Sequence, residues 1–442
     1  LNTKQQSASG IKASLILEVA KLLRIQPVFR ERRILLANPP VIHRSVLVVS
    51  LSFVALALVF SARAALGLTM PVLEQELGWS RVFTSGAAAV ALLVMAVIAP
   101  IGGRLVDKKG PRSILLLGLA AHAVGCFLVA ATSNPLTFLI AFGGIAAVGF
   151  GLVATHVVST AVEQEVSHNT GLATGVATSG STGGQFVFVP LLAMLIGLYD
   201  WRMAFVALGV GTLVVMGCIY RWFPNRADFV PLDAEASPQT SDLRSDIVRI
   251  LKLPAFQILF WSYFICGYTT SGVIETHFMP YAEFCGFGPV PSALAYGVLS
   301  AINLIGMIAA GWLTDRMNRP ILLGSIYLIR GLTFVILINV GTSFETLLFF
   351  SILFGLVDYS TVPVTASLVA THIGKNVMGL AFGLITAGHQ VGAALGAYFG
   401  GVLYDVYAQY EWVWWSSVGL AVFSGILVFL LRNDPVAEAQ TV

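Results

Sequence analysis

Charged side chains are scarce in this chain. Its 442 residues carry 25 Lys and Arg and 22 Asp and Glu, 11% together, against roughly 25% in soluble globules. That deficit excludes a water-exposed fold for most of the sequence. Cysteine is sparse too. Cys126, Cys218, Cys266 and Cys285 are scattered through apolar stretches at no metal-ligand spacing, so they read as packing residues and imply no metal centre. No Gly-Lys-Ser/Thr phosphate loop, His-Glu-x-x-His run or Gly-x-Ser-x-Gly turn occurs, which argues against ATP drive in this chain and against an intramembrane enzyme. The net charge of +3 gives no case for nucleic acid. What fills the sequence is apolar: 57% hydrophobic residues and a mean hydropathy of +0.85. The apolar runs reach the ~20 residues of a bilayer crossing. They lack two-residue alternation, which argues for helices and against an outer-membrane barrel.

Twelve membrane helices are expected, over residues 46–71, 83–103, 113–132, 136–160, 169–198 and 202–222, then 254–282, 293–314, 321–341, 345–371, 376–404 and 412–431. The polar segment 223–253 divides them into an N-terminal bundle, 45–222, and a C-terminal bundle, 254–432. An extension, 1–44, precedes them and a tail, 433–442, follows. The extension is not a cleavable signal, because basic residues recur throughout it. Its stretch from Ala13 to Leu23 has helical periodicity and fits a helix lying on anionic lipid, or an extension with no ordered role.

Two charged turns organise the rest. The stretch Gly103-Arg104-Leu105-Val106-Asp107-Lys108 returns at Gly311-Trp312-Leu313-Thr314-Asp315-Arg316, an offset of 311 − 103 = 208. The same offset carries Gly171, Gly175, Gly180 and Gly184 of the fifth helix to Gly379, Gly383, Gly388 and Gly392 of the eleventh. Such glycine stripes let helix backbones approach closely. The halves form a parallel repeat about an axis along the membrane normal. Lys and Arg gather in the turns after helices 2 and 8 and in the central segment, with only Arg81 and Arg202 near the opposite ends. The positive-inside bias then puts both termini and the central segment in the cytoplasm.

A parallel six-plus-six repeat with this turn after helices 2 and 8 resembles the major facilitator superfamily, over residues 45–432. Leu77-Gly78-Trp79-Ser80-Arg81, Thr276-His277-Phe278-Met279-Pro280-Tyr281, Thr361-Val362-Pro363 and His389-Gln390-Val391-Gly392 are similar to bacterial transporters grouped with monocarboxylate and oxalate/formate porters. The resemblance implies an all-α integral membrane fold of two six-helix bundles with a cavity between them. It implies a secondary transporter of a small organic anion, a monocarboxylate, moved with protons by alternating access. It further implies a monomer in a bacterial inner membrane, without cofactor. The chain departs from animal monocarboxylate transporters, which carry an Asp/Arg pair in helix 8, since residues 293–314 hold no charged side chain. An acidic-glycine signature before helix 1 is also missing. It departs from proton-driven drug antiporters, having no Arg in helix 4 and Gln185 after Gly184. Export of apolar or amphiphilic compounds, and a non-transporting sensor, stay open as alternatives.

Charges at bilayer depth are costly and mark functional positions. Arg63 is the candidate anion ligand, because its planar fork matches a carboxylate; an ion pair with Glu275 is the alternative. Glu275 is the candidate proton acceptor, and His277, two residues along the same helix, can titrate or donate a hydrogen bond. Asp358 and Arg330 are expected to form a structural ion pair, with Asp358 as a proton site in the sharper reading. Gln185, Asn303, Tyr359, His389 and Gln390 are candidates for uncharged hydrogen bonds to substrate, whereas His122 and His156 are assigned to packing or to interfaces. Asp107 and Asp315 are expected to accept from helix N-termini. Arg104, Arg112 and Arg316 are expected to bridge to acids across the bundle interface, so that these five form a gate.

Overall fold

The computed structural model describes residues 41–79, 81–225 and 243–432. Nearly all of the expected extension 1–44, the stretch 226–242 of the central segment and the tail from 433 lie outside the described residues. The described chain is helical. Eleven helices are long and apolar enough to span a bilayer: α1 (Arg44–Met70), α2 (Gly86–Lys109), α3 (Pro111–Ala131), α4 (Pro135–Glu165), α5 (Thr170–Leu198), α6 (Trp201–Trp222), α8 (Pro291–Thr314), α9 (Arg319–Ile338), α10 (Phe344–His372), α11 (Lys375–Tyr404) and α12 (Glu411–Phe429). The remaining span, α7 (Pro254–Phe284), follows the short helix Leu243–Lys252 through an 83° bend. That short helix lies where a polar loop is expected. It is amphipathic, burying Asp246 and Ile250 and exposing Arg244, Arg249 and Lys252.

Local chemistry sets the turns. Proline occupies the first turn of α3, α4, α7 and α9, where a missing N–H costs nothing. Asn134, Asp200, Asn318 and Ser343 cap α4, α6, α9 and α10 by accepting from backbone N–H groups. Gly78 and Gly286, related by the 208-residue offset, both hold positive φ, 67° and 87°, which a side chain would resist.

Buried apolar side chains form one cluster drawn wholly from residues 48–223 and two drawn from residues 250–431. No cluster crosses between the halves, so each six-helix bundle has its own core. The bundles meet through backbone instead. At the end carrying the charged turns, Gly103 of α2 lies on Gly379 of α11, and Gly171 of α5 on Gly311 of α8. A Cβ on Gly175 would lie 2.6 Å from the Met307 carbonyl, and one on Gly383 2.5 Å from that of Ala99. Only glycine permits this approach, and it seals the hairpin end.

Candidate functional site

Between the bundles lies a cavity with about 40 Å3 of water-accessible space, room for a few waters at ~10–15 Å3 each. The N-terminal bundle lines it with Phe60 and Arg63 of α1, Met95 and Ala99 of α2, and Gly151, Ala154, Thr155 and His156 of α4. The C-terminal bundle supplies Tyr263 and Ser271 of α7, Tyr359 and Val362 of α10, and Thr386, His389 and Gln390 of α11. The repeat passes through it: 63 + 208 = 271, 151 + 208 = 359 and 154 + 208 = 362, and both members of each pair line the wall. The symmetry holds in position and not in chemistry. The N-terminal half contributes the cation, with Thr155 and His156 on the same wall, and the C-terminal half contributes hydroxyl, imidazole and amide groups without a cation.

Arg63 is half-buried, with its guanidinium 5.1 Å from the centroid of the Phe60 ring. It makes no hydrogen bond or ion pair with another described residue. The alternative pairing with Glu275 is absent. Glu275 Oε1 instead accepts from Tyr359 Oη at 2.8 Å and Ser271 Oγ at 3.1 Å. A guanidinium in an occluded cavity without an anion has its fork of donors unspent.

Behind the wall, α10 breaks at Asp358 to Ser360, between helical stretches Phe344–Val357 and Thr361–His372. Breaking a helix in a membrane frees backbone groups that protein must satisfy. Arg330, fully buried on α9, does so: its Nη2 donates to the Val357 carbonyl at 2.9 Å and to that of Asp358, while Nη1 donates to Cys266 Sγ at 3.0 Å. Asn303 of α8 completes the repair, accepting from the Tyr359 N–H at 3.1 Å and donating to Asp358 Oδ2 at 3.1 Å. The expected Arg330–Asp358 side-chain pair therefore takes another form, since Arg330 meets the backbone of Asp358 and not its carboxylate. Truncating Arg330 to Met should lower the thermal unfolding midpoint in detergent. Taking ~1–3 kcal/mol for each of two orphaned carbonyls, the loss is about 2–6 kcal/mol. Lys should recover only part, being a point donor without the fork.

Other expected ligands lie elsewhere. His277 Nε2 is spent on the Ala397 carbonyl at 3.0 Å, tying α7 to α11, and neither it nor Asn303 nor Gln185 lines the cavity. His156, expected at a packing or interface position, lies at the bundle interface, lines the cavity and meets Phe382 edge-on at 6.5 Å. Tyr263, its ring tilted 43° to that of His389 with the centroids 4.9 Å apart, lines the cavity as well and is not among the residues expected from sequence. Its only signal was an aromatic residue in an apolar helix, which is what core looks like.

At the hairpin end, where a gate is expected, the contacts between the bundles are made by carboxylates. Asp107 Oδ1 and Oδ2 accept from the N–H groups of Gly379 and Leu380 at 2.9 and 2.8 Å, capping α11 across the interface. Asp315 does the same for α5, accepting from Gly171 and Leu172 at 2.8 and 2.9 Å. The arginines are used differently from expectation. Arg104 pairs with Asp246 of the short connecting helix. Arg112 binds Asn225 and the Tyr220 carbonyl. Arg316 lies on Trp312 of its own helix, 4.2 Å from the ring centroid. Among the described residues, Glu163 and Lys375 form an ion pair that crosses between the bundles, at 3.5 Å.

The model of the Major Facilitator Superfamily matches residues 52–341 and 310–442. Monocarboxylate transporter 13 of Bos taurus is 25% identical over 419 residues, 91% of this chain and 94% of its own length. YcxA of Bacillus subtilis, an uncharacterised MFS-type transporter, is 22% identical over 331 residues, 74% of this chain and 80% of its own. The crystal structure of the human organic anion transporter MFSD10 superposes with a TM-score of 0.68 at 17% identity, covering 88% of this chain and all of that one. The chain belongs to the Major Facilitator Superfamily and is a multi-pass membrane transporter.

Proposed function

We propose that this transporter moves a small monocarboxylate together with protons, by alternating access to the central cavity. The observation that carries the reading is Arg63, a cavity-lining guanidinium with no described anion partner. A carboxylate there accepts two parallel charge-assisted hydrogen bonds. Its short organic body rests on Phe60 and Met95, while Tyr359, His389 and Gln390 face it with neutral donors and acceptors. Relatives described as monocarboxylate transporters, and the MFSD10 structure described as an organic anion transporter, support the same class.

Coupling is assigned to Glu275. It stands one turn beyond Ser271, exposed on the side away from the sealed hairpins. Tyr359 connects it to the cavity. When Glu275 is charged, its Oε1 holds the Tyr359 hydroxyl; a proton on Glu275 weakens that bond and frees Tyr359 to turn toward a bound carboxylate. Asp358, buried with Oδ1 unpartnered, is the second carboxyl within reach of the same network. The hairpin end is the cytoplasmic end, as Lys108, Lys109, Arg112, Arg316 and Arg319 there indicate, and the protein works as a monomer in a bacterial inner membrane. The direction of net transport follows the proton gradient, by symport inward or antiport outward.

The test is Glu275→Gln in proteoliposomes. Exchange of labelled carboxylate against internal carboxylate is expected to survive, and accumulation driven by an acidic exterior is expected to disappear. Gradient-driven accumulation at the wild-type level would remove Glu275 from the coupling step. Export of apolar compounds becomes the better reading if transport of such a compound proceeds unchanged without Arg63.

A further inference from the structure

Arg316 is the gate residue that the gate does not use. It sits just past α8, exposed, stacked on Trp312 at 4.2 Å, and spends one donor on the Trp312 carbonyl at 3.1 Å. No carboxylate pairs with it among the described residues. Below it, an apolar groove of about 390 Å3 runs along the seam between α5 and α8. Leu172, Ile305, Ile308, Ala309 and Trp312 line it, and none of them is polar. Ile305, Ala309 and Trp312 are exposed on the outer surface of the bundle pair.

We propose that this groove binds one acyl chain of a phospholipid whose anionic headgroup rests on Arg316. The dimensions fit in direction and depth. From Trp312 to Ile305 is 312 − 305 = 7 residues, about 10 Å of helix at ~1.5 Å per residue, and it runs from the interfacial end of α8 into the hydrocarbon. An indole at the mouth is the side chain that belongs at headgroup level. Stacking holds the guanidinium in place, so its remaining N–H donors face a phosphate already oriented. A groove of this volume falls within the ~300–1,000 Å3 of small-molecule sites.

The seam also opens and closes. Leu172, which lines the groove, is the residue whose N–H donates to Asp315 Oδ2, and Gly171 beside it packs on Gly311. Rocking the bundles apart at this end pulls α5 from α8 and destroys the groove. A lipid seated there therefore favours the sealed hairpin end, and sealing in turn favours the lipid, by reciprocity of coupling.

The test uses the full chain in nanodiscs and reads tryptophan fluorescence quenching by lipids brominated along the acyl chain. Brominated phosphatidylglycerol should quench the wild type more than the same fraction of brominated phosphatidylcholine. Trp312→Phe should abolish that excess although the other seven of the eight tryptophans remain. Arg316→Gln should bring phosphatidylglycerol down to the phosphatidylcholine level, and Arg316→Lys should keep most of the difference. Equal quenching of the wild type by both lipids overturns the headgroup assignment, and an excess that survives Trp312→Phe overturns the groove. The wild-type comparison decides the first point without any variant having to fold.

Discussion

Replacing Arg63 with Ala should weaken substrate binding roughly 10- to 150-fold. The loss of hydrogen bonds to a charged group costs ~1.5–3 kcal/mol, and each 1.4 kcal/mol is tenfold in affinity. The effect belongs to the substrate and not to the fold. Arg63 makes no ion pair or hydrogen bond with a described residue, so its removal orphans no described partner and should leave the unfolding midpoint near wild type. Lys should restore part of the binding, since the charge returns without the planar fork. Measuring the concentration for half-maximal uptake in the three proteins separates these outcomes. Unchanged binding in Arg63→Ala would show that no carboxylate uses this cation.

Gly103→Ala should hold the hairpin end open. The added Cβ would overlap the Gly379 carbonyl of the facing helix, and a backbone atom cannot rotate aside as a side chain can. Overpacking of this kind costs about 1–3 kcal/mol. Because it acts on the closed arrangement alone, the closed-to-open ratio should fall roughly 5- to 150-fold. Spin labels at Lys109→Cys and Asn376→Cys, both exposed near this seam, should report a longer distance population, and transport should fall with it. Gly67→Ala is the control. No neighbour lies within 4 Å of its added Cβ, and Ala favours helix over Gly by about 1 kcal/mol. An unchanged distance distribution in Gly103→Ala would mean that the seam closes by a different contact.

The sequence announced the seam better than the cavity, for a physical reason. Close backbone approach demands glycine, and tight charged turns demand particular residues. A duplicated fold therefore repeats both at a fixed offset, so Gly103, Gly171, Asp107 and Asp315 could be found from spacing alone. The cavity is made by side chains arriving from several helices, and their direction depends on helix breaks that no local pattern marks. Residues 358–360 read as ordinary helix, and only the fold brings Arg330 to the carbonyls left open there. The expectation placed Arg330 against the correct segment and paired it with the wrong atoms. His156 follows the break at Val153 and Ala154 in α4, so an expected packing or interface position is also part of the cavity wall. The connecting helix Leu243–Lys252 was hidden by its own polarity: ten residues with four charges read as loop until Asp246 is seen buried against Arg104.

The most direct measurement is uptake by the purified protein in liposomes under an inward-acid pH gradient, with labelled short-chain mono- and dicarboxylates offered one at a time. A monocarboxylate should accumulate above its external concentration while the gradient lasts, and should only equilibrate once the gradient is collapsed. Failure of every carboxylate to move, or accumulation indifferent to the gradient, would contradict a proton-coupled carboxylate carrier built around Arg63.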